Sequence, residues 1–133
     1  MMHRTALAAI ALLLGGPALA QGVAWVSSEK DNALTLIDMG KMAVIGTVPT
    51  CKRPRHISLL PDGKRLLTAC ADSHQGDLID IVSRKSVGKL PLGDDPEAFD
   101  LSPDGKQLYV SSEEEGELLV LDAATGRKIK AIK

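Results

Sequence analysis

Leu60-Pro61-Asp62-Gly63-Lys64 occurs a second time, 42 residues on, as Ser102-Pro103-Asp104-Gly105-Lys106. The flanks travel with it: Pro54 becomes Pro96, Leu59 becomes Leu101 and Leu66 becomes Leu108. Sliding the whole sequence by 42 keeps the register without gaps and reveals a third unit upstream. Asp38, Asp80 and Asp122 then coincide, as do Leu36, Leu78 and Val120, and Ile45, Val87 and Ile129. Recurrence at a fixed period of this size marks a repeat architecture.

Each full unit holds four short apolar runs. In the middle unit they are His56–Leu60, Arg65–Cys70, Asp77–Val82 and Ser86–Leu92, each of strand length and each followed by turn residues. The run Leu78-Ile79-Asp80-Ile81-Val82 is apolar on both alternating sets, as is Leu118-Leu119-Val120-Leu121, which is how a strand covered on both faces reads. A four-stranded unit of this length, buried on both faces, predicts an all-β fold of β-propeller blades.

Pro-Asp-Gly suits the first hairpin of each blade, with proline presetting φ and glycine taking the position that needs φ above zero. Asp38, Asp80 and Asp122 begin the second hairpin turn of every unit, so they are read as turn residues, not as a metal site. Antiparallel strands alternate direction, which sends both hairpin turns to one end of each blade. The other end collects the inter-unit links Thr50–Pro54 and Leu92–Pro96 and the loops Glu29–Ala33, Ala71–Gly76 and Glu113–Gly116, whose residues change between units. Varied loops on a constant scaffold are where binding usually sits.

Residues 1–20 read as a secretory signal. A basic start ends at Arg4, Thr5–Leu14 is apolar, and Gly15-Gly16-Pro17-Ala18-Leu19-Ala20 supplies a small-x-small cleavage site. The apolar run is well short of the roughly 20 residues that span a bilayer. The mature chain from Gln21 is therefore expected to be exported and soluble, with 133 − 20 = 113 residues. Without Arg4 it carries 15 basic and 17 acidic residues, a net −2 that does not suit nucleic acid. Three aromatics (Trp25, Phe99, Tyr109) are few for a quinone-type pocket. Cys51 and Cys70 are an even pair in an exported chain, which leaves a bridge and two small buried thiols both open. Neither lies in a CxxC, which argues against thiol catalysis and zinc.

Leu108-Tyr109-Val110-Ser111-Ser112, following its Pro-Asp-Gly turn, resembles the YVTN-type β-propeller repeats. Val26-Ser27-Ser28-Glu29-Lys30-Asp31-Asn32, Lys52-Arg53-Pro54-Arg55-His56-Ile57 and Asp95-Pro96-Glu97-Ala98-Phe99 are similar to the exported propeller proteins associated with PQQ-dependent catabolism. The resemblance covers essentially all of 21–133. It implies a seven-bladed periplasmic protein accompanying quinoprotein alcohol oxidation, with a protein or small-molecule partner and no catalytic residue to carry over. PQQ enters as a pathway association only. The resemblance to lactonase propellers implies the alternative, a sugar-lactone hydrolase; a cell-surface interaction role also fits an exported propeller.

The period divides the mature chain into 21–53, a first blade lacking its innermost strand, 54–95, a second blade, and 96–133, a shortened third. That is 113/42, about 2.7 blades of an expected seven-bladed ring. An open arc leaves blade faces and strand edges uncovered, so the sequence is expected to be the N-terminal piece of a longer chain or a truncated product. Several copies completing a ring is the other reading.

At the varied end, Lys52, Arg53, Arg55 and His56 form a basic group, while the same places one unit later hold Asp94, Asp95, Glu97 and Ala98. These residues, the alanine apart, are the candidate ligand- or partner-binding positions; the competing reading is that their charges simply pair across blades. Glu113-Glu114-Glu115 with Glu117, and His74 with Asp72 and Asp77, lack the ligand spacing of a calcium or zinc site, so no metal is assigned. No Ser/His/Asp or Cys/His set stands at an interpretable spacing.

Overall fold

The computed structural model describes residues 22–133, and the expected signal peptide lies outside the described residues. Eleven strands follow one another: β1 (Val23–Ser28), β2 (Ala33–Asp38), β3 (Ala43–Pro49), β4 (Pro54–Leu59), β5 (Arg65–Cys70), β6 (Gln75–Asp80), β7 (Lys85–Pro91), β8 (Pro96–Leu101), β9 (Gln107–Ser112), β10 (Glu117–Asp122) and β11 (Lys128–Ile132). A single 3-10 turn, Ala71–Ser73, joins β5 to β6. All pairing is between sequence neighbours and antiparallel, giving the sheets β1-β2-β3, β4-β5-β6-β7 and β8-β9-β10-β11. This is an arc of propeller blades, with β4 and β8 as inner strands that touch each other. Among the described residues no helix is long and apolar enough to cross a membrane.

Two apolar clusters hold the arc together, one in each gap between blades. Leu34, Leu36, Val48, Leu66 and Ile79 fill the first, with Trp25, Ile57 and Ile81 packed against them. Leu67, Leu90, Leu92, Phe99, Leu108, Val110, Leu119 and Leu121 are among those that fill the second. On β5, Leu66 points into the first cluster and Leu67 into the second, the period-2 consequence of a pleated strand. The middle blade is thus apolar on both faces.

The backbone repeats more faithfully than the sequence does. Positive φ recurs at Asn32, His74 and Gly116 (52°, 54°, 61°), at Arg53 and Asp95 (57°, 42°), and at Met42, Arg84 and Gly126 (50°, 56°, 71°), always 42 apart. The β-bulges recur too, after Leu36, Leu78 and Val120, and in the opening of both inner strands after Pro54 and Pro96. Proline can stand there because the first residue of a strand need not donate to the ladder. At Gly126 the left-handed backbone is joined by a steric need, since an added Cβ would strike the carbonyl oxygen of Pro91 in the neighbouring blade.

Three strand expectations are corrected. The inner strand of the middle blade starts at Pro54, not His56, because the bulge absorbs the proline. The third strand is Gln75–Asp80, not Asp77–Val82. Asp80 accepts the Ser83 N–H at 2.6 Å and so begins the turn, leaving Ile81 and Val82 outside the ladder. Ile81 folds back onto the first cluster while Val82 is 85% exposed. The fourth strand, Lys85–Pro91, is one residue earlier at each end than expected.

Every turn aspartate acts as read from the sequence. Asp38 accepts the Lys41 N–H at 2.9 Å, Asp80 that of Ser83, and Asp122 those of Ala124 and Thr125. In the Pro-Asp-Gly turns, Asp62 accepts the Lys64 N–H at 2.8 Å and Asp104 that of Lys106 at 3.1 Å. Four of these carboxyls are held below their ordinary value: Asp62 first by Lys64 N–H, Asp80 by Ser83 N–H, Asp104 by the Ser102 hydroxyl and Asp122 by the Thr125 hydroxyl. A carboxyl lowered in the folded state supports the fold above the ordinary carboxylate range and ceases to as pH falls through its lowered value. The urea midpoint should therefore drop below pH 4, and replacing these four aspartates with asparagine should flatten that acid limb when midpoints are compared from pH 2 to pH 6.

Candidate functional site

The end of the arc opposite the hairpin turns gathers an ion cluster where the three blades meet. Arg53 and Asp95 occupy the same position of consecutive inter-blade links, both with left-handed backbone that non-glycine residues seldom adopt. Their side chains approach to 3.6 Å, Arg53 Nη1 to Asp95 Oδ1. Arg53 also lies 3.5 Å from Glu29 of the first blade, 3.3 Å from Asp72 of the second and 3.7 Å from Glu97 of the third. Arg55 and Glu97, again one period apart, stand near the start of the inner strands and form an ion pair. Arg55 further donates to Glu29 at 3.0 Å. One pair of arginines thereby ties carboxylates from all three blades.

The link carrying Arg53 is fastened at every residue. Cys51 is bridged to Cys70 at the end of β5, with Cα atoms 5.8 Å apart. The Cys51 N–H donates to Asp77 at 3.1 Å, Lys52 N–H to Ser73 Oγ at 2.9 Å, and Arg53 N–H to Asn32 Oδ1 at 2.8 Å. Asp77 is 2% exposed and also accepts the Ser86 hydroxyl. Its burial is permitted because both carboxylate oxygens have donors.

Electrostatics single out Glu97. Its side chain is 18% exposed, and Oε1 is shut off from solvent without a hydrogen-bond partner. Burial pushes its carboxyl above the ordinary range, Arg55 pulls it back, and the neighbouring Glu113 raises it again. Carboxylate oxygens of Asp95, Glu97 and Glu113 lie within 4.8 Å of one another, close enough to share a cation. Arg53 already neutralises Asp95, and both arginines reach Glu97.

Of the seven candidate positions, Arg53, Arg55, Asp95 and Glu97 come together. Lys52, His56 and Asp94 do not. Lys52 contributes its backbone, His56 lies edge-on to Phe99 with centroids 4.7 Å apart, and Asp94 stands 3.5 Å from His74. The acids Glu29, Asp72 and Glu113 complete the cluster without having been singled out as members. Their only sequence signal is position, since all three lie in the loops expected at this end. His74, Asp72 and Asp77 turn to three different partners: the Asp95 N–H, Arg53 and the Cys51 N–H. Glu117 is drawn away to Lys128 at 3.6 Å.

The three blades define a partial β-propeller, and known structures agree on the fold. The chain is similar to the hydrazine synthase of Kuenenia stuttgartiensis, with 26% identity, a TM-score of 0.68, and coverage of 82% of this chain and 32% of that one. It is similar to the dihydro-heme d1 dehydrogenase NirN, in complex with DHE, at 22% identity and a TM-score of 0.63 over 90% of this chain and 26% of that one. A protein of unknown function from Bacteroides caccae matches at 16% identity and a TM-score of 0.68, over 84% and 45%. The chain therefore spans less than half the length of each. No protein-family model and no curated protein sequence matches it.

Two outcomes follow from the rim. Replacing Cys51 and Cys70 together by serine frees a link closed over a sequence separation of 19, which the chain-entropy account puts at about 3 kcal/mol; urea unfolding of the oxidised, reduced and doubly substituted protein reads this directly. A carboxyl raised in the folded state, as at Glu97, supports the fold fully below its unfolded value and ceases to as pH rises through the folded one. Stability should thus carry a component that declines from weakly acid towards neutral pH. Glu97→Gln should remove that component, and Glu113→Gln should move it to lower pH, both measured as unfolding midpoints.

Proposed function

We propose that this chain works as a non-catalytic periplasmic β-propeller accessory protein that binds a partner or polar ligand at its loop end, beside PQQ-dependent alcohol catabolism. The observation that carries the binding site is the pairing of Arg53 and Asp95. Two ordinary residues hold a left-handed backbone at successive links, a conformation costing about 1–3 kcal/mol each that is retained where it places side chains usefully. Their side chains, with those of Arg55 and Glu97, remain between 18% and 35% exposed, so an incoming acid or amide can compete for them. A planar guanidinium suits bidentate recognition of a carboxylate. The bridge between Cys51 and Cys70 supports an exported protein, since such bonds persist in oxidising compartments. The link to PQQ rests on the resemblance of residues 26–32, 52–57 and 95–99.

The lactone-hydrolase reading has one feature to draw on, the carboxylates of Asp95, Glu97 and Glu113. Arginine already occupies two of them, which favours the accessory reading. Deleting the gene should slow growth on an alcohol oxidised through PQQ. Wild-type protein should restore growth, and an Arg53→Ala/Arg55→Ala variant of unchanged melting temperature should not. Unchanged growth on deletion would overturn the proposal. Sugar-lactone turnover by the purified protein that needs added calcium or manganese and is lost in Glu97→Gln would replace it with the hydrolase.

A further inference from the structure

At the hairpin end of the second inter-blade gap lies a cavity of about 260 Å³, whose lining includes Leu67, Leu78, Leu90, Leu108 and Ala123 together with Arg65. The repeat explains why it is there. One period earlier, in the first gap, the places of Leu67 and Ala123 are held by Trp25 and Ile81, both packed against that gap's core. Leu66 and Leu36 correspond to Leu108 and Leu78 without change of residue, while Val48 and Val23 give way to the larger Leu90 and Arg65. The backbone of the two gaps follows the same period. At these positions the second gap keeps two leucines of the first and lacks its indole and its isoleucine side chain. Close-packed interiors do not ordinarily leave such a space, and an apolar cavity of about 150 Å³ already takes up benzene.

The mouth is polar. A more open depression that includes Pro61, Asp62 and Gly105 adjoins the cavity, sharing Leu60, Arg65, Leu101, Ala123 and Ala124 with it. Arg65 donates from Nε to Asp62 at 2.7 Å, and its two Nη groups have no protein partner among the described residues. Its side chain is 45% exposed, and Arg65 lines both the cavity and the depression.

We infer that this gap is a binding site for a small amphiphilic carboxylate, its alkyl or aromatic part in the cavity and its head on the Nη edge of Arg65. The site is separate from the ion cluster, which lies at the opposite end of the blades. Asp62 holds the Nε edge and fixes the guanidinium plane, leaving two parallel donors for a carboxylate. Packing of the tail covers the half-buried side chains of Leu60, Leu78 and Leu101 at the cavity.

Octanoate and 1-octanol, titrated into the purified chain and followed by methyl and amide chemical shifts, test this. Octanoate should bind saturably, one per chain, with the largest changes at Leu67, Leu90 and Leu108. Ala123→Ile and Leu67→Trp each restore a side chain that the first gap contains, so each should weaken binding by about ten-fold or more, equivalent to about 1.4 kcal/mol, without lowering the melting temperature. Arg65→Gln should weaken octanoate several-fold more than octanol. If one filling variant fails to fold, the other decides. Non-saturating shifts, shifts centred elsewhere, or wild-type affinity in a folded filling variant would overturn the site. An equal effect of Arg65→Gln on both probes would overturn the carboxylate assignment.

Discussion

The structure depends on sheets that are apolar on both faces. Leu66 and Leu67 are adjacent on β5 and enter different cores, so the middle blade has no side that water tolerates. Such a sheet is stable only between two others, since burial at roughly 25 cal/mol per Å² is what offsets the ordering of its residues. Blade-to-blade packing therefore sets the spacing of the inner strands and brings the links between blades into one rim. The ion cluster is a consequence of that packing, not its cause: partly exposed pairs of this kind contribute little to stability.

One backbone serves as the frame for different chemistry at each repeat. The left-handed position taken by Arg53 is taken by Asp95 one blade on, and the inner-strand position of Arg55 by Glu97. Because the frame repeats, the substituted charges face one another across the gap and not into separate solvent. The same logic applies inside the gaps. Trp25 and Ile81 pack on the core of one gap, where Leu67 and Ala123 in the next border a cavity. Variation on a repeated backbone thus generates both polar and apolar sites.

Much of the fold was legible because its signals are local. Pro61-Asp62-Gly63 specifies a turn through the φ preferences of its own residues, and Arg65–Cys70 was read to the residue because polar turns bound it. The reading of Asp77–Val82 failed for an equally local reason that composition hides. Asp80 turns the chain by accepting the Ser83 N–H, while Asp77, polar in sequence, is buried in the ladder. Apolar character at Ile81 marked contact with the neighbouring blade, not strand.

The rim was legible as a place and not as a set. Position in the period was enough to send Glu29, Asp72 and Glu113 to the same end as Arg53, yet nothing in the chain order ranks them above Lys52, His56 or Asp94. That choice depends on side-chain reach across gaps whose width the packing of Leu34, Leu66 and their neighbours sets. The bridge between Cys51 and Cys70 is of the same kind, since a disulfide needs a Cα separation that only the folded link supplies. By itself, then, the sequence determined the period, the turns and the two-faced strands, all properties of residues near one another along the chain. Tertiary structure alone decided which charges meet, which thiols join and which gap stays open, because those are distances between residues that the chain holds far apart.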